Sequence, residues 1–254
     1  MLGKGRAEAI TDAHTSQLAT ELGVHPADIE AIATVESNGF GWFEDGRIKI
    51  LFEKHWFYKL LSGADRTKAV RQGLARKNWV SPKRGGYKDQ SNADARYRLL
   101  AKAIAINEES ALRSISMGRF QIMGFNYGLC GFVSAKHMWE RFLDSEVNQL
   151  RALAKFLEKK GLVEAMRNRD FRKIETVYNG GGLGGAYARR MKAASDKLRA
   201  GKWKGWTPTQ KPVEPPKPVP PVIAATPSPE PRPAPAQGGL WALFASILKK
   251  LAGG

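Results

Sequence analysis

Residues 26–57 read PADIEAIATVESNGFGWFEDGRIKILFEKHWF. In the first twelve, Ile29, Ile32 and Ala33 share one helical face, and Glu36 follows them at i+7, i+4 and i+3. The spacing predicts a helix over 26–37 with a carboxylate at the end of its apolar stripe. Pro26, directly after His25, suits a first helical position. Ser37, Asn38, Gly39 and Gly41 then end the helix. In the run that follows, an Asp45-Gly46 turn separates two short segments, the second alternating Ile48, Ile50 and Phe52, which predicts a small β-hairpin. A carboxylate on an apolar stripe is partly desolvated, so its charged form is disfavoured and its pKa rises, as a general acid near neutral pH requires. On this helix alone, a solvated Glu36 at the C-terminal turn fits as well.

Working outward, the periodicity of residues 1–206 is mostly helical. Candidate helices are 6–22, 26–37, 53–62, 65–76, 92–107, 109–116, 119–126, 134–159, 162–167, 170–179 and 184–199. The longest, 134–159, aligns Met138, Phe142, Val147, Leu150, Leu153, Ala154 and Leu157 along one side. The fold class expected is mainly α with a small β element. Twelve of the fourteen prolines fall between Pro208 and Pro235. Each removes a backbone donor and fixes φ, so this stretch reads as an extended, semi-rigid linker. The expected division is a catalytic domain over 1–206, a proline-rich linker over 207–237 and a tail over 238–254. In the tail, Leu240, Phe244, Ile247, Leu248 and Leu251 recur at helical spacing with Lys249 and Lys250 beside them. That describes a short cationic amphipathic helix, which suits a membrane or outer-membrane surface or docking back on the domain.

The formal net charge is +17, with 43% hydrophobic residues and a single cysteine. The apolar share excludes global disorder. A lone Cys130 forms no internal disulfide and reads as a small buried hydrophobe. No apolar run reaches the ~18–20 residues of a membrane span, and the N-terminus lacks the apolar stretch of a secretory leader. Of the excess charge, +14 lies before Thr207 and +3 after it. The partner is therefore expected to be a polyanion: an acidic wall polymer, anionic lipid or nucleic acid. His14, His25, His55 and His137 are scattered without ligand spacing, so neither a metal nor a cofactor is expected. Nucleic acid ranks low because no recognition motif accompanies the charge.

Three blocks carry a resemblance. Glu36-Ser37-Asn38-Gly39-Phe40-Gly41 leads to Ile50-Leu51-Phe52-Glu53-Lys54-His55-Trp56-Phe57. Gly118-Arg119-Phe120-Gln121-Ile122-Met123-Gly124-Phe125-Asn126-Tyr127 comes next, and Tyr178-Asn179-Gly180-Gly181 last. Together they resemble the N-acetylmuramidase family of phage and prophage endolysins, and their order is also that of soluble lytic transglycosylases and goose-type lysozymes. One departure is Met117, where the family usually has Trp, a position that bears on local cleft packing or sugar stacking.

The resemblance implies a lysozyme-like α+β domain and cleavage of the β-1,4 bond between N-acetylmuramic acid and N-acetylglucosamine, with Glu36 as general acid. It implies substrate contacts by Ser37, Gln121, Tyr178 and Asn179, and makes Glu53 a candidate second catalytic group. Ser37 can instead orient Glu36, Gln121 and Tyr178 can be packing residues, and Glu53 can be a buried structural carboxylate. A lytic transglycosylase, whose nucleophile is the muramic 6-hydroxyl, stays open, as does a non-catalytic cationic membrane-permeabilising protein. Expected partners are peptidoglycan and, through the tail, anionic lipid, with the chain a monomer. The expected location is the host cytoplasm before lysis, with action on periplasmic peptidoglycan.

Overall fold

The computed structural model describes residues 1–180 and 184–208, apart from the side chain of Asn179. Gly181–Leu183, the linker from residue 209 and the tail over 238–254 lie outside the described residues. The elements run α1 (Asp12–Leu22), α2 (Pro26–Ser37), β1 (Ile50–Phe52), α3 (Lys54–Leu60), α4 (Gly63–Arg71), α5 (Ala93–Ile104), α6 (Glu108–Arg113), β2 (Ile115–Met117) and β3 (Ile122–Met123). Then follow α7 (Ala135–Asp144), α8 (Glu146–Lys159), α9 (Val163–Arg167), α10 (Phe171–Asn179) and α11 (Ala186–Ala200). Mainly helical with a small sheet is thus the architecture. Among the described residues no helix is long and apolar enough to cross a membrane.

The central element is α2. His25 caps its start, Nδ1 accepting from Ala27 N–H at 3.2 Å, and Pro26 follows with no N–H to satisfy. At the other end Asn38 takes the left-handed conformation (φ 58°), and the N–H groups of Asn38 and Gly39 close on Thr34 and Ala33. Every residue of the helix except Thr34 is buried, so it runs through the domain and not along its surface. Its main neighbour is α11. Asp28, 1% exposed, staples the two: its carboxylate accepts from Ser195 Oγ at 2.5 Å and from Arg199 Nη2, with Arg169 Nε at 3.6 Å. Ile29, Ile32, Ile50, Phe52, Phe57, Leu100, Leu153 and Met191 are fully enclosed in the surrounding core.

The expected hairpin forms in a minimal version, and the sheet takes its second run elsewhere. A tight turn does form at Asp45-Gly46, with Gly46 N–H on Phe43 O at 2.9 Å, but the two arms share only the Trp42–Ile48 bridge. The apolar run Ile50–Phe52 pairs instead with β2, antiparallel, Leu51 opposite Ser116, and β2 pairs with β3. All three β1 residues are buried, so the run has no solvent side. Two predicted helices are corrected with it. The 109–116 segment ends as helix at Arg113 and continues as β2. The 119–126 segment is a turn, β3 and a 3-10 turn at Gly124–Asn126. Gly118 (φ 76°) and Gln121 (φ 47°) are both left-handed, which an α-helix excludes. Finally, 134–159 is two helices. Ser145 is extended (φ −155°, ψ 141°), ending α7 and capping α8.

Candidate active site

Glu36 sits on the last turn of α2, 1% exposed, and lines a cavity of about 40 Å³ with Gln121, Ile122, Met123, Asn126, Phe156 and Tyr178. Elements from four parts of the chain therefore meet at one carboxyl group. Burial pushes the Glu36 pKa well above the ordinary carboxylate value. A hydrogen bond from Tyr187 Oη to Glu36 Oε1 at 3.0 Å and the positive charge of Arg190 offset part of that rise. Desolvation wins, so the protonated form is favoured beyond what an ordinary carboxylate shows. Such an acid can hand a proton to a leaving oxygen, and Tyr187 and Arg190 are placed to stabilise the carboxylate left behind.

The other residues singled out from sequence fall in different places. Ser37 Oγ donates to Arg119 O at 2.7 Å, tying the end of α2 to the β2–β3 turn, and its own carbonyl accepts from Lys49 Nζ at 2.7 Å. Gln121 reaches the cavity wall with its amide engaged. Its Nε2 donates to Gly118 O at 2.8 Å and Lys49 O at 3.2 Å, and its Oε1 accepts from Ser116 Oγ at 2.9 Å. Tyr178, half-buried, donates from Oη to Phe120 O at 2.7 Å and packs edge-on against Phe156 at 5.3 Å. Asn179 ends α10, and its side chain is outside the described residues. Met117 is fully buried in β2 and does not line the cavity, so it occupies a packing position.

Glu53 is not brought to Glu36's cavity. It is 1% exposed at the start of α3, both carboxylate oxygens accepting from Tyr87 Oη at 2.9 and 2.8 Å, with His55 Nδ1 at 3.1 Å from Oε2. Trp79 Nε1 in turn donates to Tyr87 Oη at 2.8 Å. Those contacts pin the loop from Trp79 to Tyr87 onto the start of α3, the arrangement of a structural carboxylate. Cys130 is buried and free, its thiol pushed up to about 12 by desolvation, so it is not a ready nucleophile. Among the described residues no group of three or more His, Cys, Asp or Glu could hold a metal ion.

The N-acetylmuramidase family profile matches residues 25–199, which spans α2, the sheet and most of α11. This chain belongs to the N-acetylmuramidase family. Among solved structures it is similar to the endolysin of the Burkholderia AP3 phage, with 31% sequence identity, a TM-score of 0.63, and coverage of 78% of this chain and 75% of that one. No curated protein matches the chain. The muramidase is therefore a glycosidase-type peptidoglycan enzyme of the phage endolysin group.

Two residues around the muramidase cavity were not singled out by sequence reasoning, Tyr187 against Glu36 and Phe156 on the cavity wall, whereas Asn126 belongs to the second motif block. Tyr187 recurs with Met191 at i+4 on α11, and both are buried, so in sequence it is indistinguishable from a packing residue. The available signal was its place on the first turn of the helix that follows the glycine run 180–185.

Proposed function

We propose that this muramidase is an endolysin that cleaves the β-1,4 bond between N-acetylmuramic acid and N-acetylglucosamine by hydrolysis, with Glu36 as general acid. The observation that carries the reading is a carboxyl group buried in a cavity and hydrogen-bonded by Tyr187, its pKa raised by desolvation. The cavity's volume suits a water molecule more than a sugar ring, so the glycan binds across its mouth. Ser37 and Gln121 act by fixing the walls. Tyr178 and Asn179, ending α10, are the substrate contacts proposed on that side.

Among the described residues Glu36 is the one carboxylate lining the cavity, so water or the muramic 6-hydroxyl could serve as nucleophile. Mass spectrometry of muropeptides released from purified sacculi separates the two. Hydrolysis gives reducing muramic acid, whereas products lighter by one water overturn it in favour of a transglycosylase. The basic body suits approach to an acidic wall polymer, and the tail suits anionic lipid. On this reading the chain waits in the host cytoplasm and acts on periplasmic peptidoglycan once the inner membrane opens. In the same assay, removing residues 238–254 is expected to leave sacculus cleavage intact and to weaken lysis of whole cells that keep an outer membrane. Equal whole-cell lysis would remove the tail from the mechanism.

Tyr187→Phe tests the tyrosine. The lost hydrogen bond stabilises the Glu36 carboxylate. Its removal raises the carboxyl pKa further and weakens the acid. The expected result is about a tenfold lower kcat, in line with one hydrogen bond to a charged group. The alkaline limb of the pH–rate profile should move to higher pH, because activity is lost as pH rises through the Glu36 pKa. An unmoved limb would show that Tyr187 does not sense the acid.

A further inference from the structure

The break at Ser145 leaves groups that a continuous helix would have paired. Glu146 N–H turns to Glu8 O at 2.8 Å, and Phe142 O accepts instead from the Gln149 side-chain Nε2 at 3.0 Å. The new helix α8 thus begins with two buried polar side chains one turn apart, Glu146 at 2% and Gln149 at 0% exposure. Burying a carboxylate is unfavourable unless donors surround it, and here they come from distant segments. Glu146 Oε1 accepts from Gly41 N–H at 2.8 Å. Its Oε2 accepts from Ile10 N–H at 3.2 Å and from Arg119 Nη1 at 3.3 Å. Gln149 Oε1 accepts from Arg119 N–H at 2.6 Å.

Gly41 and Arg119 are the two chain segments that bracket the general acid. Gly41 lies five residues after Glu36, and the Arg119 carbonyl holds the Ser37 hydroxyl. The approach is close at two glycines, one of them, Gly118, also left-handed. A Cβ at Gly118 would meet Gln149 Oε1 at 2.4 Å, and one at Gly41 would meet Glu146 Oε1 at 2.8 Å. Two glycines of the motif blocks are thereby explained by side chains outside those blocks.

We propose that Glu146 and Gln149 are positioning residues of the muramidase, fixing the end of α2 and the β2–β3 turn so that the Glu36 carboxyl meets the glycosidic oxygen. This rests on the reading of Glu36 as general acid. The test compares Glu146→Ala, Gln149→Ala, Glu146→Gln and Glu36→Gln on purified sacculi, with rates expressed per folded molecule from circular dichroism. A displaced acid lowers kcat and leaves binding alone. Glu146→Ala and Gln149→Ala are therefore expected to lose about 10- to 100-fold in kcat with KM changed less than about twofold. Glu146→Gln, whose amide oxygen still accepts from Gly41, should recover most of the loss. If Glu146→Ala does not fold, Gln149→Ala and Glu146→Gln carry the comparison. Unchanged kcat per folded molecule in the alanine variants that fold, with only a lower Tm, overturns the proposal. Full activity in Glu36→Gln would instead overturn the reading beneath it.

Discussion

Glu36→Gln is expected to lower peptidoglycan cleavage by about 10³-fold, within the 10²- to 10⁴-fold range of a positioned general acid, while the chain stays folded. The carboxamide has the shape of the protonated carboxyl, and its oxygen can still accept from Tyr187 Oη. It has no proton to give a departing sugar oxygen. The same substitution should stabilise the fold, with a definite pH dependence. The folded-state pKa of Glu36 lies above the ordinary 4.5, so the folded chain retains a proton that the unfolded chain has released. The stability this gives is fully present below the unfolded pKa and lost as pH rises through the folded one. Wild type and Glu36→Gln should therefore melt alike near pH 4, with the variant gaining in Tm towards pH 7 and above. Thermal melts at several pH values check this; a gap that does not widen with pH would mean that Glu36 is not held protonated.

Asp28→Ala is expected to have the largest effect on stability. Breaking a buried ion pair by removing one partner costs about 3–5 kcal/mol, because the remaining groups keep their desolvation and lose their acceptor. Here Ser195 and Arg199 would be left facing an empty site between α2 and α11. Against a typical domain stability of about 5–15 kcal/mol, that is a large share. At about 2–4 °C per kcal/mol for a domain of this size, the expected loss in Tm is about 6–20 °C. Because α11 carries Tyr187, loosening it should also lower activity at temperatures below the new Tm. A drop of less than about 2 °C would show that the staple contributes little and that apolar packing alone holds the two helices.

Much of this site was legible because its decisive signals are local. His25-Pro26 and Asn38-Gly39 delimit α2 at both ends, and the apolar spacing leading to Glu36 forecasts its burial. The elements misread are those whose conformation is settled by distant partners. Ile50–Phe52 looks like the arm of a hairpin, but its pairing strand lies beyond residue 114. The run Phe120-Gln121-Ile122-Met123 fits a helix by composition until the left-handed Gly118 and Gln121 turn it back as a strand. At Ser145 the apolar period continues across the break, so one extended residue leaves no mark on the pattern. Glu53 carries the right residue type in a motif block, yet only the contact with Tyr87 shows which way it faces. Tyr187 and Glu146 are polar groups buried through contacts with segments more than a hundred residues away, and periodicity is blind to such contacts.

The distance in sequence between the partners also bears on synthesis. The hydrogen bond from Tyr187 to Glu36 joins residues 151 apart, and the Asp28–Ser195 bond residues 167 apart. A growing chain holds Glu36 long before the ribosome has made α11, and until then the surroundings that desolvate this carboxyl are incomplete. The acid is encoded early and assembled last, so the finished domain, and no shorter nascent piece of it, contains the site.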